Sequence, residues 1–199
     1  MLARGEKAPL EHSTEASERI LVGLRWDERY DKVQMLDRVI KKDSQHDLDL
    51  VCYIYGPTGE FIDFVGAEAQ DSMDETGKIY HSGDDMTGAG EGDDEFINAE
   101  LGKLPNSVHS LVFMAEIRSN HGFDDVASTY CRLADGMTDK NLMEVYLDHG
   151  EAKGKHAFVM CAVTRSEASP TGWQLYNISE YPDTSSIDNW GGYLSQFVD

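Results

Sequence analysis

The sequence predicts an all-β fold, a β-sandwich of two antiparallel sheets with a few short helices. Three observations carry that expectation. Apolar and polar residues alternate at period two in many short runs. Turn signals rich in Gly, Pro, Asn and Ser separate those runs at regular spacing. Few stretches hold a helical period, so the strands must bury their apolar faces against one another. With 199 residues, 40% of them hydrophobic, the chain is long and apolar enough for one domain with its own core.

Residues 1–18 are polar and read as a flexible N-terminal tail, which leaves 19–199 as a single domain. Ile20, Val22, Leu24 and Trp26 alternate with Leu21, Gly23 and Arg25, a strand period. Residues 27–46 are polar, with a weak helical or loop pattern. "DLDLVCYIYGPTGEFIDFVG" reads as two strands joined at Gly56-Pro57-Thr58-Gly59. A polar loop covers 68–77, and "KIYHSG" is a short strand. "EFINAEL" and "VHSLVFMAEI" are strands separated by Pro105-Asn106-Ser107, and in the second Leu111, Phe113, Ala115 and Ile117 share a face. "FDDVASTYCRLA" suits a helical turn entering a strand. "NLMEVYLD", "KHAFVMCAVTR" and "GWQLYNISEY" complete the strands, and 184–198 is expected to be a short helix.

Charge narrows the function classes. There are 17 Lys+Arg against 37 Asp+Glu, a net charge of −20. That argues against nucleic acid or an anionic membrane as the principal partner, since both need cationic surface. The N-terminus shows no signal-peptide core, and no apolar run approaches the ~20 residues that span a bilayer. Cys52, Cys131 and Cys161 lie far apart in apolar runs and form no CxxC. They are expected to be reduced core thiols of a cytoplasmic protein.

The acid concentrates in "HSGDDMTGAGEGDDEFI", where Asp84, Asp85, Glu91, Asp93, Asp94 and Glu95 crowd around Gly88, Gly90 and Gly92. It is no phosphate loop: GxGxxG fails at Asp93, there is no GK[ST], and the carboxylates would repel phosphate. It is no EF-hand either, because Met86 and Gly88 fall where that loop needs side-chain oxygens. Glycines nevertheless let a loop turn carbonyls inward, and clustered carboxylates suit a hard cation. In "HDLDLV", Asp47 and Asp49 are two apart on a strand and so point to one face. Oxygen-only ligands favour Ca²⁺, then Mg²⁺. Acidic loops are also commonly just solvated, and residue chemistry alone leaves both readings open.

"VGLRWD", "DLDL", the acidic loop, an "LP" turn and "VFMAEI", in that order, resemble the TerD-like tellurium-resistance and stress proteins of bacteria. The resemblance spans about Ile20 to Asp148. It implies a β-sandwich that binds calcium at one end, with two ions and no enzymatic mechanism. By that resemblance Asp47 and Asp49 match one ligand motif, and Gly83, Asp84, Thr87, Gly88, Gly90, Gly92, Asp93, Asp94 and Glu95 match the other. It implies resistance to tellurite and other stress, with related stress or tellurium-resistance proteins as partners. Asp85 stands where the family usually has Asn, and "DFVGAEAQDS" replaces a DFVFYNN-type stretch. The opening strand of the SLSKGG type and the Gly-rich ending are missing, so the C-terminal end is divergent.

Two other classes compete with a calcium-binding module. His46 and His81 beside acids could form an acid–base set, yet no nucleophile motif or HExxH accompanies them. A metal-independent acidic interaction module is the alternative, with Trp173, Trp190 and Tyr193 as anchors.

Overall fold

The period-two segments become eleven strands among the described residues, which in this computed structural model are 2–11, 18–27, 46–118, 121–147 and 150–198. The strands are β1 (Lys7–Pro9), β2 (Arg19–Arg25), β3 (Leu48–Tyr55), β4 (Phe61–Val65), β5 (Ile79–His81) and β6 (Glu95–Glu100). They continue with β7 (Ser110–Ile117), β8 (Tyr130–Asp135), β9 (Asn141–Tyr146), β10 (Ala157–Arg165) and β11 (Trp173–Glu180). One sheet runs β1-β11-β10-β7-β3-β4 and the other β5-β6-β2-β8-β9. Every pairing is antiparallel.

The core lies between the sheets. Ile20, Val22 and Leu24 of β2 face it, as do Leu111, Phe113 and Ala115 of β7. Cys52, Cys131 and Cys161 are buried there as free thiols, and burial raises the pKa of each. β7 is buried on its other face too, where Val112 and Met114 join Val51, Val159 and Ile178. The C-terminal segment lies over that outer face, with Leu194 and Phe197 packed into it. Tyr55 Oη donates to Gly191 O at 2.8 Å and Tyr193 Oη to Glu180 Oε1 at 2.7 Å.

Two expectations are corrected. Residues 2–11 are no loose tail: Lys7–Pro9 pair with β11, and Leu10 is buried in the core. Three residues are too few to show a period, and Pro9, lacking an N–H, is tolerated because β1 is an edge strand. The helix expected over 184–198 shrinks to α1 (Trp190–Leu194), flanked by 3-10 turns at Thr184–Ser186 and Ser195–Phe197. Gly191 and Gly192 disfavour a longer helix. Residues 12–17 of the expected tail and 28–45 of the expected polar stretch lie outside the described residues. No helix among the described residues is long and apolar enough to cross a membrane.

Candidate metal centre

The start of β3, the β5–β6 loop and the end of β7 meet at one end of the sandwich. Asp49 lies in β3 opposite Glu116 of β7, and Asp47 immediately precedes the strand. Alternation turns both aspartates to one face, and the loop brings Asp84 to them. Each of the three offers an oxygen within 4.8 Å of the other two, the cluster of this kind found among the described residues. Asp49 is buried, Asp47 half-buried and Asp84 exposed. Asp47 Oδ1 is a buried atom with no hydrogen-bond partner. A buried lone pair left in this state is destabilising unless a cation or water takes it up.

Arg118 forms the rim. Its backbone N–H donates to Asp47 O at 2.9 Å, and its guanidinium Nε contacts Asp49 Oδ2. The same guanidinium lies 3.6 Å from Glu68 and 4.0 Å from Glu116. One cation is not enough for so many acids. Burial pushes the Asp49 carboxyl up to about 7; Arg118 opposes this, while Glu95, Asp47 and Glu116 add to it. Burial, with Asp84 beside it, raises Asp47, and burial raises Glu116. These carboxylates are held together against their electrostatic preference.

The rest of the loop is tied by other means. Glu95 is fully buried, with Oε2 accepting from Leu50 N across the sandwich at 2.8 Å and Oε1 from Asp85 N at 3.2 Å. His81 Nδ1 accepts from Gly83 N at 2.9 Å. The ring proton therefore sits on Nε2, 3.3 Å from Glu95 Oε2. Asp85 Oδ1 accepts from Thr87 N, Thr87 Oγ1 and Gly88 N at 2.7, 2.9 and 3.0 Å, a side-chain-closed turn. Gly88, at φ 64°, then lies on Trp26, where a Cβ would sit 2.5 Å from the indole. Asp94 Oδ2 accepts from Trp26 N at 2.9 Å; burial raises its carboxyl and Asp85 adds to that. Asp93 points elsewhere. Arg132 Nε and Nη2 grip both its oxygens at 2.8–3.0 Å, over the outer face of β2. Gly23 makes room for it, since a Cβ there would be 2.4 Å from Asp93 Cγ.

Thus Asp47, Asp49 and Asp84 converge, while Asp85, Asp93, Asp94 and Glu95 already accept hydrogen bonds. Glu91 is exposed at the loop tip with Gly90 and Gly92, and Gly83 turns at the neck with φ 105°. Sequence reasoning missed Arg118, Arg132 and Glu116 as parts of this region. Only strand register places them here: Asp49 opposite Glu116, with Arg118 two residues on, and Gly23 opposite Arg132.

The TerD domain matches residues 1–181. The chain is 31% identical to the tellurium resistance protein TerZ of Serratia marcescens over 164 residues, 82% of this chain and 81% of that one. It is 30% identical to general stress protein 16U of Bacillus subtilis (strain 168), covering 71% of this chain and 72% of that one. A solved structure from Streptomyces coelicolor A3(2), described as a homologue of telluride resistance protein (TerD), shares the fold. Its TM-score is 0.66 at 23% identity, covering 85% of this chain and 92% of that one. The acidic loop and DxD strand start thus sit in a chain that belongs to the TerD domain family of tellurium-resistance and stress-response proteins.

Proposed function

We propose that this protein is a calcium-binding module of the tellurium-resistance and stress response, acting through partners and not as an enzyme. The supporting observation is the convergence of Asp47, Asp49 and Asp84 around the unpartnered Asp47 Oδ1. Three carboxylates without nitrogen or sulfur suit a hard cation. Calcium accepts the irregular geometry of a strand start facing a loop, whereas magnesium demands a near-octahedral shell. When bound, the ion supplies the positive charge that these carboxylates lack. The resemblance implies two ions. Asp47, Asp49 and Asp84 would hold one; Asp85 and Asp94, close enough for Asp85 to raise the Asp94 carboxyl, are the acids we assign to the second.

A non-catalytic role agrees with His81, which is buried and held between Gly83 N and Glu95. Related stress and tellurium-resistance proteins are the partners this reading expects, and three buried thiols suit the reducing cytoplasm. Calorimetry with CaCl₂ tests the site. Asp47→Asn with Asp49→Asn keeps oxygens but removes two charges, so the affinity should fall at least about tenfold while the far-UV spectrum is kept. Identical titration curves for wild type and double variant would remove these residues from the site. Native mass spectrometry counts the ions.

A further inference from the structure

Arg118 occupies an unusual place for a residue beside a cation site. Its backbone is anchored to Asp47 O, so the side chain starts at the rim of the carboxylate cluster. Its guanidinium contacts Asp49, one of the three converging acids. A cation bound among Asp47, Asp49 and Asp84 must share Asp49 with this fixed positive charge or displace it. Displacement has somewhere to go. Glu68 and Glu116 lie 3.6 and 4.0 Å from the same guanidinium. The Arg118 side chain is 47% exposed, so it can swing without repacking the core.

The charge arithmetic gives this exchange a direction. Three ionised aspartates and Arg118 sum to −2 at the cluster. A divalent ion that moves the guanidinium from Asp49 onto Glu116 and Glu68 replaces one positive charge with two. A monovalent ion replaces one with one, and must still shed water, so it gains little. Resting on the calcium reading above, we propose that Arg118 is a built-in counter-cation that competes for Asp49 and sets the site's preference for divalent over monovalent ions. It is a positioning residue of the site and not a ligand. Glu68 also lines a surface groove with Ala67, Ser72, His81 and Asp84. Transfer of the guanidinium toward Glu68 therefore changes the charge that this groove presents when the ion binds.

The test compares wild type, Arg118→Gln and Arg118→Lys by calcium calorimetry at constant ionic strength. Each is run in NaCl and again in tetramethylammonium chloride, whose cation is too large for the cluster. Arg118→Gln should bind Ca²⁺ about tenfold tighter than wild type in tetramethylammonium. In NaCl that gain should shrink, because Na⁺ now competes. Arg118→Lys keeps the charge and should stay within about threefold of wild type in both salts. In chelator, Arg118→Gln should melt below wild type, and Ca²⁺ should raise its melting temperature by more. Unchanged or weaker Ca²⁺ binding by Arg118→Gln overturns the proposal, as does a gain equally present in both salts. If neither wild type nor variants take up Ca²⁺, the calcium reading itself falls, and this proposal with it.

Discussion

Replacing Gly88 with Ala should destabilise the domain through one identifiable collision. Gly88 holds φ 64°, a region in which an L-residue is strained by about 1 kcal/mol. Its added Cβ would meet Trp26 Cδ1 and Nε1 at 2.5 Å and Trp26 O at 2.8 Å. Trp26 is 1% exposed and cannot step aside, so this overpacking adds about 1–3 kcal/mol. The sum, about 2–4 kcal/mol, lowers Tm by about 5–15 °C for a domain of this size. Gly92→Ala is the control: φ is 99°, but nothing lies within 4 Å of its Cβ, so it carries backbone strain alone. Thermal melts of both variants in chelator isolate the Trp26 contact from any ion. Should Gly88→Ala melt within about 2 °C of wild type, the packing of the loop on Trp26 is wrong.

Four further outcomes are expected. In chelator, stability should fall as pH rises from about 4 to about 7, because Asp49 titrates near 7 folded but near 4 unfolded, so the folded state holds the extra proton across that window. Solvent screening limits this to on the order of 1–2 kcal/mol; Asn at 49 should flatten the slope, and saturating Ca²⁺, which keeps Asp49 ionised, should reverse it in pH-resolved melts. Asp93→Asn should lower stability by about 2–4 kcal/mol by breaking the Arg132 grip, yet leave calcium affinity within about twofold in calorimetry. Leu194→Ala should cost about 2–4 kcal/mol in urea melts, since Leu194 is fully buried against the outer face of β7 and β10. Hydrogen exchange in chelator should leave the amides of Trp26 and Leu50 protected, because they donate to Asp94 and Glu95 and not through an ion.

Alternation made β2, β3 and β7 legible, and with them the shared face of Asp47 and Asp49. The glycine-rich acidic loop announced Asp84 by its charge. β1 was hidden because Lys-Ala-Pro has neither length nor period, and its strand exists only through pairing with β11. The second buried face of β7 was hidden for a related reason. Val112 and Met114 read as an apolar outer row, and nothing local says that a segment 80 residues later will cover them. Arg118, just past the end of β7, and Arg132, within β8, are charges indistinguishable in sequence from solvated ones. Their partners are set by register between strands far apart in the chain, which no window of sequence contains.

The eight candidate acids divide by what already holds them, and the division bears on how calcium would act. Asp85, Asp94 and Glu95 accept backbone N–H groups, Asp93 is neutralised by Arg132, and Glu91 is exposed to solvent at the loop tip. Backbone donors relieve repulsion locally and fix the loop on Trp26 and β3 without an ion. The loop therefore reaches the binding end largely ordered, and an incoming ion does not have to meet the entropy of ordering it. Its binding energy is then available where charge is least compensated, above all at the Asp47–Asp49–Asp84 cluster and its guanidinium. A loop ordered mainly by calcium would couple ion release to unfolding. A loop ordered by its own hydrogen bonds lets the ion come and go while the scaffold stands, and leaves the Arg118 exchange as the part that moves.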